Sequence, residues 1–221
     1  MTGTGNDIVS LGAINITRTK QPAFYSKILS DREITYYRQN CQDVITLENY
    51  IWLLWSIKES AYKYLQRFNP GLVFTPVKFI VSGLLPPVPS PTENFGNTKA
   101  GKGFDVNKTW NGVITYGTDT LYSLSLLYTD VLFSVVNGTE NFDQVYWGLH
   151  RINDTDPANQ SAMVRTFLLN KLHQVLTIDN LQIGKNEFNI PVLIKRDKEM
   201  QVAISLSHHE HFIGYSFVNS L

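Results

Sequence analysis

The 221-residue chain carries 19 basic and 19 acidic side chains and so has no formal net charge. This excludes a general nucleic-acid or membrane-surface binder, which needs a positive excess, though it leaves room for a local basic pocket. A single cysteine, Cys41, excludes a disulfide framework and a thiolate metal cluster. No apolar run approaches the ~20 residues of a membrane helix, and "MTGTGNDIVSLGAINITR" has neither a basic start nor a long apolar core. The expectation is a soluble, cytoplasmic protein.

In chain order, "DIVSLGAINI" alternates and is rich in β-branched residues, which predicts a strand. "LSDREITYYRQN" predicts a helix, with Ser30 as N-cap and Glu33 at the capping-box spacing. The strongest helix is "TLENYIWLLWSIKESAYKYLQRF". Leu47, Ile51, Leu54, Trp55, Tyr62 and Leu65 recur at helical spacings, and Asn69-Pro70-Gly71 ends the run. A strand is expected from near Val77, because Pro76 cannot sit inside a ladder. The Pro- and Gly-rich stretch that follows predicts a long mobile loop over 85–103, extending to about residue 110. "WNGVITYGTDTLYSLSLLYTD" offers two turn signals, Asn-Gly and Gly-Thr-Asp, and predicts a hairpin or meander. "VLFSVVNG" adds a strand.

After Asn137-Gly138-Thr139 the pattern restarts. "DQVYWGLHRI" predicts a strand, "DPANQSAMVRTFLLNKLHQVL" an amphipathic helix, and the rest three short strands with turns. Each half is a helix flanked by strands, so the boundary is expected near 137–143.

Three features bear on chemistry. Glu59 and Lys63 lie four apart on one helix face. Alone they read as a surface pair worth a few tenths of a kcal/mol. Their place on the stripe of Trp55 and Tyr62 instead implies a charge that needs a partner or a metal. Asp7 opens an apolar strand after a Gly-Asn turn, where an aspartate is an ordinary turn or cap residue. Near the C-terminus, "AISLSHHEHFIGYSF" gathers Ser205, Ser207, His208, His209 and His211. A zinc site needs those rings to converge, yet on a strand 209 and 211 face one way and 208 the other. No Gly-x-Ser-x-Gly elbow supports a serine hydrolase. A polar turn and a phosphate-binding corner both stay open. Cys41 reads as an inert residue at a helix end.

Together, "GND" (Gly5 to Asp7), "KILSDRE" and "WSIKESAYK" (Trp55 to Lys63) resemble the 4′-phosphopantetheinyl transferase superfamily. The C-terminal half, from "VRTFLLNKLHQVL" through "ISLSHHEHFIGYSF", is similar to the first lobe of the two-lobed, surfactin-synthetase-activating type. That lobe usually precedes the Asp-bearing one, so the order here looks circularly permuted.

The resemblance implies an α+β fold of two pseudo-twofold-related lobes, each a helix packed on a small, mainly antiparallel sheet. Residues 1–140 would form the lobe bearing metal and catalytic groups, and residues 141–221 the coenzyme A-binding lobe. It implies Mg²⁺-dependent transfer of the phosphopantetheine arm of coenzyme A to a serine of an acyl or peptidyl carrier protein, by a monomer. A catalytically silent member that binds coenzyme A or a carrier protein is the alternative. Asp7 and Glu59 would hold the metal, and Glu59 would take the serine proton. Lys63, a further catalytic residue, would hold a phosphate, with Lys58, Ser207 and His208 also contacting coenzyme A. Two departures stand out. Val9 replaces a second acid, as in the small trimeric holo-acyl-carrier-protein synthase type, so two protein carboxylates and more water are expected on the metal. The family's Gly-Lys-Pro turn reads Asn189-Ile190-Pro191, without the lysine.

Overall fold

Every residue of the first strand, β1 (Thr4–Ser10), is buried. The computed structural model, which describes residues 3–88 and 93–219, shows why. β1 is an edge strand of a five-stranded antiparallel sheet in the order β1-β6-β5-β4-β2. The others are β2 (Ile80–Leu85), β4 (Trp110–Tyr116), β5 (Asp119–Leu127) and β6 (Val131–Asn137). A second sheet has the order β11-β12-β7-β3, from β3 (Thr98–Lys102), β7 (Val145–Arg151), β11 (Val202–His209) and β12 (Phe212–Asn219). Three short strands, β8 (Leu181–Lys185), β9 (Pro191–Lys195) and β10 (Lys198–Glu199), make a small third sheet.

The period-2 alternation of the strands sets the layers. In β6, Leu132 and Val136 join the core under α4 (Leu47–Gln66), while Val131, Phe133 and Val135 pack with Val145, Leu149 and Phe212 of the second sheet. The far side of that sheet is covered by α5 (Pro157–Leu176), whose Leu168 and Leu172 meet Ile204, Tyr215 and Phe217. The order is therefore helix, sheet, sheet, helix. Short helices α1 (Ile16–Thr19), α2 (Pro22–Tyr25) and α3 (Asp31–Tyr36) surround the N-terminal half of α4, and a π-helical segment continues α3 through Cys41. No described helix is long and apolar enough to cross a membrane.

Local signals place several elements. Ser30 caps α3, and Glu33 completes the capping box. Thr46 caps α4, which ends at Gln66 just before the Asn-Pro-Gly stop. Asp156 caps α5. Cys41 is 2% exposed, and burial pushes its thiol up to about 11, so it is no nucleophile at neutral pH.

Other expectations need correction. β1 stops at Ser10, and Pro76–Lys78 is a 3₁₀ turn that delays β2 to Ile80. Of the loop expected over 85–110, residues 89–92 lie outside the described residues, but Thr98–Lys102 is a strand paired with β7. Phe95 is also anchored: its N–H donates to Asp130 Oδ1 at 2.8 Å and its ring packs on Tyr128 and Phe212. Because β3 joins the second sheet, a division of the chain near residue 140 does not coincide with the division between sheets. Asn111-Gly112 is not a turn but the middle of β4, where a side chain at Gly112 would meet Ser123 Oγ at 2.9 Å; Gly117 makes the hairpin turn instead, at φ 58°. The C-terminal segment expected as three strands contains five.

Lys58 lies in the core. It is 0% exposed, and its ammonium donates to Glu33 Oε2 at 2.8 Å and to the Ile28 carbonyl at 2.7 Å. Glu33 accepts in turn from the N–H groups of Ser30 and Val81, both at 2.8 Å. Burial lowers the Lys58 pKa, and the Glu33 carboxylate opposes that shift. The pair locks α4 against α3 and β2, and it holds the Lys58 ammonium in the core, away from solvent. Glu33→Ala is expected to cost about 3–5 kcal/mol in urea unfolding, because it strands a buried ammonium. Glu33→Leu/Lys58→Met, which removes both charges, should cost less than the sum of the single changes.

Candidate functional site at the β1–α4 contact

The site begins with Gly5. A methyl at this position would lie 2.0 Å from the Ser60 carbonyl and 2.8 Å from the Tyr64 nitrogen of α4. Only glycine allows the helix backbone to lie this close to the strand. Ser60, small and fully buried, fits the same contact and donates to Ser56 O at 2.8 Å and to Ser134 O at 3.2 Å.

Next to this contact, Lys63 reaches back to the strand. Its ammonium donates to Asp7 Oδ1 at 2.9 Å and to the Asn6 carbonyl at 3.0 Å, and pairs with Glu59 Oε1 at 3.3 Å. The side chains of Glu59 and Lys63 are 27% and 25% exposed, whereas that of Asp7 is 8% exposed. Burial pushes the Asp7 carboxyl up to about 7, against the pull of Lys63, and Glu59 adds to the rise. Burial alone would lower Lys63, but the two carboxylates outweigh it and hold the ammonium above the usual lysine value. Lys63 is therefore a fixed positive charge at neutral pH.

The other edge of β1 is closed by side chains of β11. Ser205 Oγ accepts from the Asn6 N–H at 3.0 Å, and His209 Nδ1 accepts from the Ser10 N–H at 3.1 Å. Asn6 Nδ2 donates to Ser207 Oγ at 2.6 Å, and Thr4 and Ser216 share a hydroxyl hydrogen bond of 2.8 Å. Ser207 is 5% exposed and holds the two sheets together, so the contact with coenzyme A expected of it is not open. His208 is exposed. Partial burial lowers its pKa, and the nearby Lys63 ammonium lowers it further. His209 lies at the end of β11 rather than in the turn, and His211 Nδ1 lies 3.3 Å from the Ile152 carbonyl, so each of those rings has its own partner.

The structure thus brings Asp7, Glu59 and Lys63 together and places His208 near them. It takes Lys58 and Ser207 into structural bonds. The sequence reading missed Asn6, Ser205 and His209 as the fasteners of the β1 edge; their signal is the alternation 205, 207, 209, which puts three polar side chains on one side of a strand.

A divalent cation fits the residues present. Asp7 Oδ2 is buried without a hydrogen-bond partner, and such an orphaned hard oxygen calls for a proton or a cation. Glu59 supplies a second carboxylate across Lys63. Among the described residues no group of three or more His, Cys, Asp or Glu side chains could hold a metal, so an ion here would complete its shell with water and ligand oxygens.

Gly5→Ala is expected to push α4 away from β1 and to lower the denaturant midpoint, at a cost of about 1–3 kcal/mol or more. Gly12→Ala, whose methyl would meet nothing within 4 Å, should stay within about 0.5 kcal/mol of the parent.

Residues 3–103 match the family model described as the 4′-phosphopantetheinyl transferase superfamily. No curated protein and no solved structure matches the chain. The matched span contains β1, α4 and all three gathered side chains, and over these residues the chain is similar to the 4′-phosphopantetheinyl transferase superfamily.

Proposed function

We propose that the chain moves the 4′-phosphopantetheine arm of coenzyme A onto a serine of an acyl or peptidyl carrier protein, with Mg²⁺ as cofactor, and releases adenosine 3′,5′-bisphosphate. One observation carries this reading. Asp7 and Glu59, from a strand and a helix within the family match, are held on either side of the Lys63 ammonium.

In the reaction the serine oxygen forms a bond to the β-phosphorus, and the bond from that phosphorus to the bridging oxygen breaks. The electron pair leaves with adenosine 3′,5′-bisphosphate. Charge on the phosphate oxygens dominates such a step, so positioning and neutralisation do most of the catalysis. Lys63 is charged, partly exposed and fixed by two carboxylates and a carbonyl, and it serves as the point charge facing a phosphate oxygen. Glu59, more exposed than Asp7, is the carboxylate a serine hydroxyl can approach, and it takes the proton. Asp7, through its unpartnered Oδ2, and Glu59 would hold the cation. A bound Mg²⁺ supplies further neutralisation of the diphosphate. His208, exposed and near Lys63, is offered to the same ligand.

A second reading, binding of coenzyme A or a carrier protein without transfer, draws on the buried bonds of Lys58 and Ser207 and on Asn189-Ile190-Pro191, which lacks the family's lysine.

An apo-carrier protein incubated with the chain, coenzyme A and Mg²⁺ is expected to gain the mass of one phosphopantetheine. Asp7→Asn, Glu59→Gln and Lys63→Met should each lower kcat/KM by about 10²–10⁴. Coenzyme A binding with no mass gain on fatty-acid, polyketide or peptide carriers would establish the second reading. Transfer at the parent rate by Glu59→Gln would remove Glu59 from the mechanism.

A further inference from the structure

Asn6 is fully buried, and three of its four polar groups tie β1 to other elements. Its carbonyl accepts from the Lys63 ammonium on α4 at 3.0 Å. Its N–H donates to Ser205 Oγ at 3.0 Å, and its side-chain Nδ2 donates to Ser207 Oγ at 2.6 Å, both on β11. One residue therefore sets the spacing between a cation of the proposed reacting centre and a strand of the second sheet.

The fourth group, Oδ1, is buried and has no hydrogen-bond partner among the described residues. A stranded buried carbonyl costs stability. Two residues earlier, the same strand edge is tied without that cost. Thr4 and Ser216 share a hydroxyl hydrogen bond of 2.8 Å, and Thr4 Oγ1 also lies 3.3 Å from the Val136 carbonyl, so neither hydroxyl is stranded. The amide at position 6 is thus not what stability alone selects, and costs of this kind gather at functional sites. What the amide adds is reach, since Nδ2 lies one bond further from the main chain than a hydroxyl does. The residue it reaches, Ser207, precedes His208, and the bond from the Ser10 N–H to His209 Nδ1 follows at 3.1 Å. On a strand, Ser207 and His209 face one way and His208 the other. Bonds to β1 on both sides of it thus hold the exposed His208 in place.

We propose that Asn6 is a positioning residue, whose bond to Ser207 sets where His208 stands relative to Lys63. It touches no substrate, because it is enclosed. This rests on the reading of Lys63 and His208 as groups that meet the coenzyme. Lys63 and Ser205 are joined to the main chain of Asn6, so a change of its side chain leaves both of those bonds in place. Such a change acts on β11 beside His208.

NMR titration of the His208 imidazole in the full chain, without substrate, tests this. Burial and, after it, the Lys63 ammonium lower the His208 pKa. Lys63→Met should therefore raise it. Asn6→Leu/Ser207→Ala removes both partners and the stranded carbonyl, so the urea midpoint should hold or rise. The His208 pKa should rise in that variant with Lys63 still in place. In the transfer assay the same variant should raise the KM for coenzyme A about fivefold or more and leave kcat within about twofold. On a His208→Ala background it should move KM by less than about twofold. Thr4→Val/Ser216→Ala, which removes the neighbouring tie, should leave the His208 titration and the KM at parent values. An unmoved His208 pKa in Asn6→Leu/Ser207→Ala, an equal effect of Thr4→Val/Ser216→Ala, or a fall in kcat that persists without His208 would each overturn the assignment. The NMR and transfer results separate this role from the reading it rests on. A chain whose His208 pKa responds but which modifies no carrier keeps the positioning role and loses the activity. A chain that modifies carriers while the His208 pKa stays unmoved keeps the activity and loses the positioning role.

Discussion

β1 has a strand partner on one edge only, and the rest of the structure follows from how its other edge is satisfied. A buried strand cannot leave N–H and C=O groups unpaired. β6 takes one edge. On the other, side chains do the work of a missing strand. Ser205 and His209 accept from the N–H groups of Asn6 and Ser10, and Lys63 and Arg67 donate to the carbonyls of Asn6 and Thr4. The acceptors come from β11 and the donors from α4 and its C-cap residue. Closing one edge therefore brings the second sheet and the long helix to the same strand, with Asp7 between them.

The same helix treats two lysines differently, and the contrast explains the site. Lys58 and Lys63 are both held by carboxylates. Lys58 is wholly enclosed, and every partner it has is structural. Lys63 is a quarter exposed and balances two carboxylates, one of them with an oxygen to spare. The first arrangement fixes where α4 lies. The second leaves a fixed cation and one acid, Glu59, partly exposed beside the buried Asp7. Gly5 links them, since the close approach it allows is what puts Asp7 within reach of Lys63.

Much of this was legible in the sequence because it is local. The capping box of Ser30 and Glu33, the stripe of α4 and the Glu59–Lys63 spacing depend on residues within one or two helical turns. The pairing with Asp7 came from resemblance, since nothing local ties residue 7 to residue 63. What escaped depends on distant partners. Thr98–Lys102 has a Gly and two Lys and no apolar alternation, and it becomes a strand only because β7 offers an edge. Asn111-Gly112 carries a turn signal, but Ser123 and Leu84 leave no room there for a side chain, so the glycine serves packing. Lys58 was expected at coenzyme A from the resemblance alone, and its partner Glu33, 25 residues away in sequence, is brought to it only by the fold.

The account stands or falls on Asp7, Glu59 and Lys63 being where the diphosphate and its cation meet the chain. A crystal of the protein grown with coenzyme A and Mn²⁺, analysed at the manganese absorption edge, tests this directly. The predicted result is an anomalous peak bonded to carboxylate oxygens of Asp7 and Glu59, with the coenzyme's diphosphate beside Lys63. A diphosphate bound elsewhere, or a metal that touches neither carboxylate, would contradict the account.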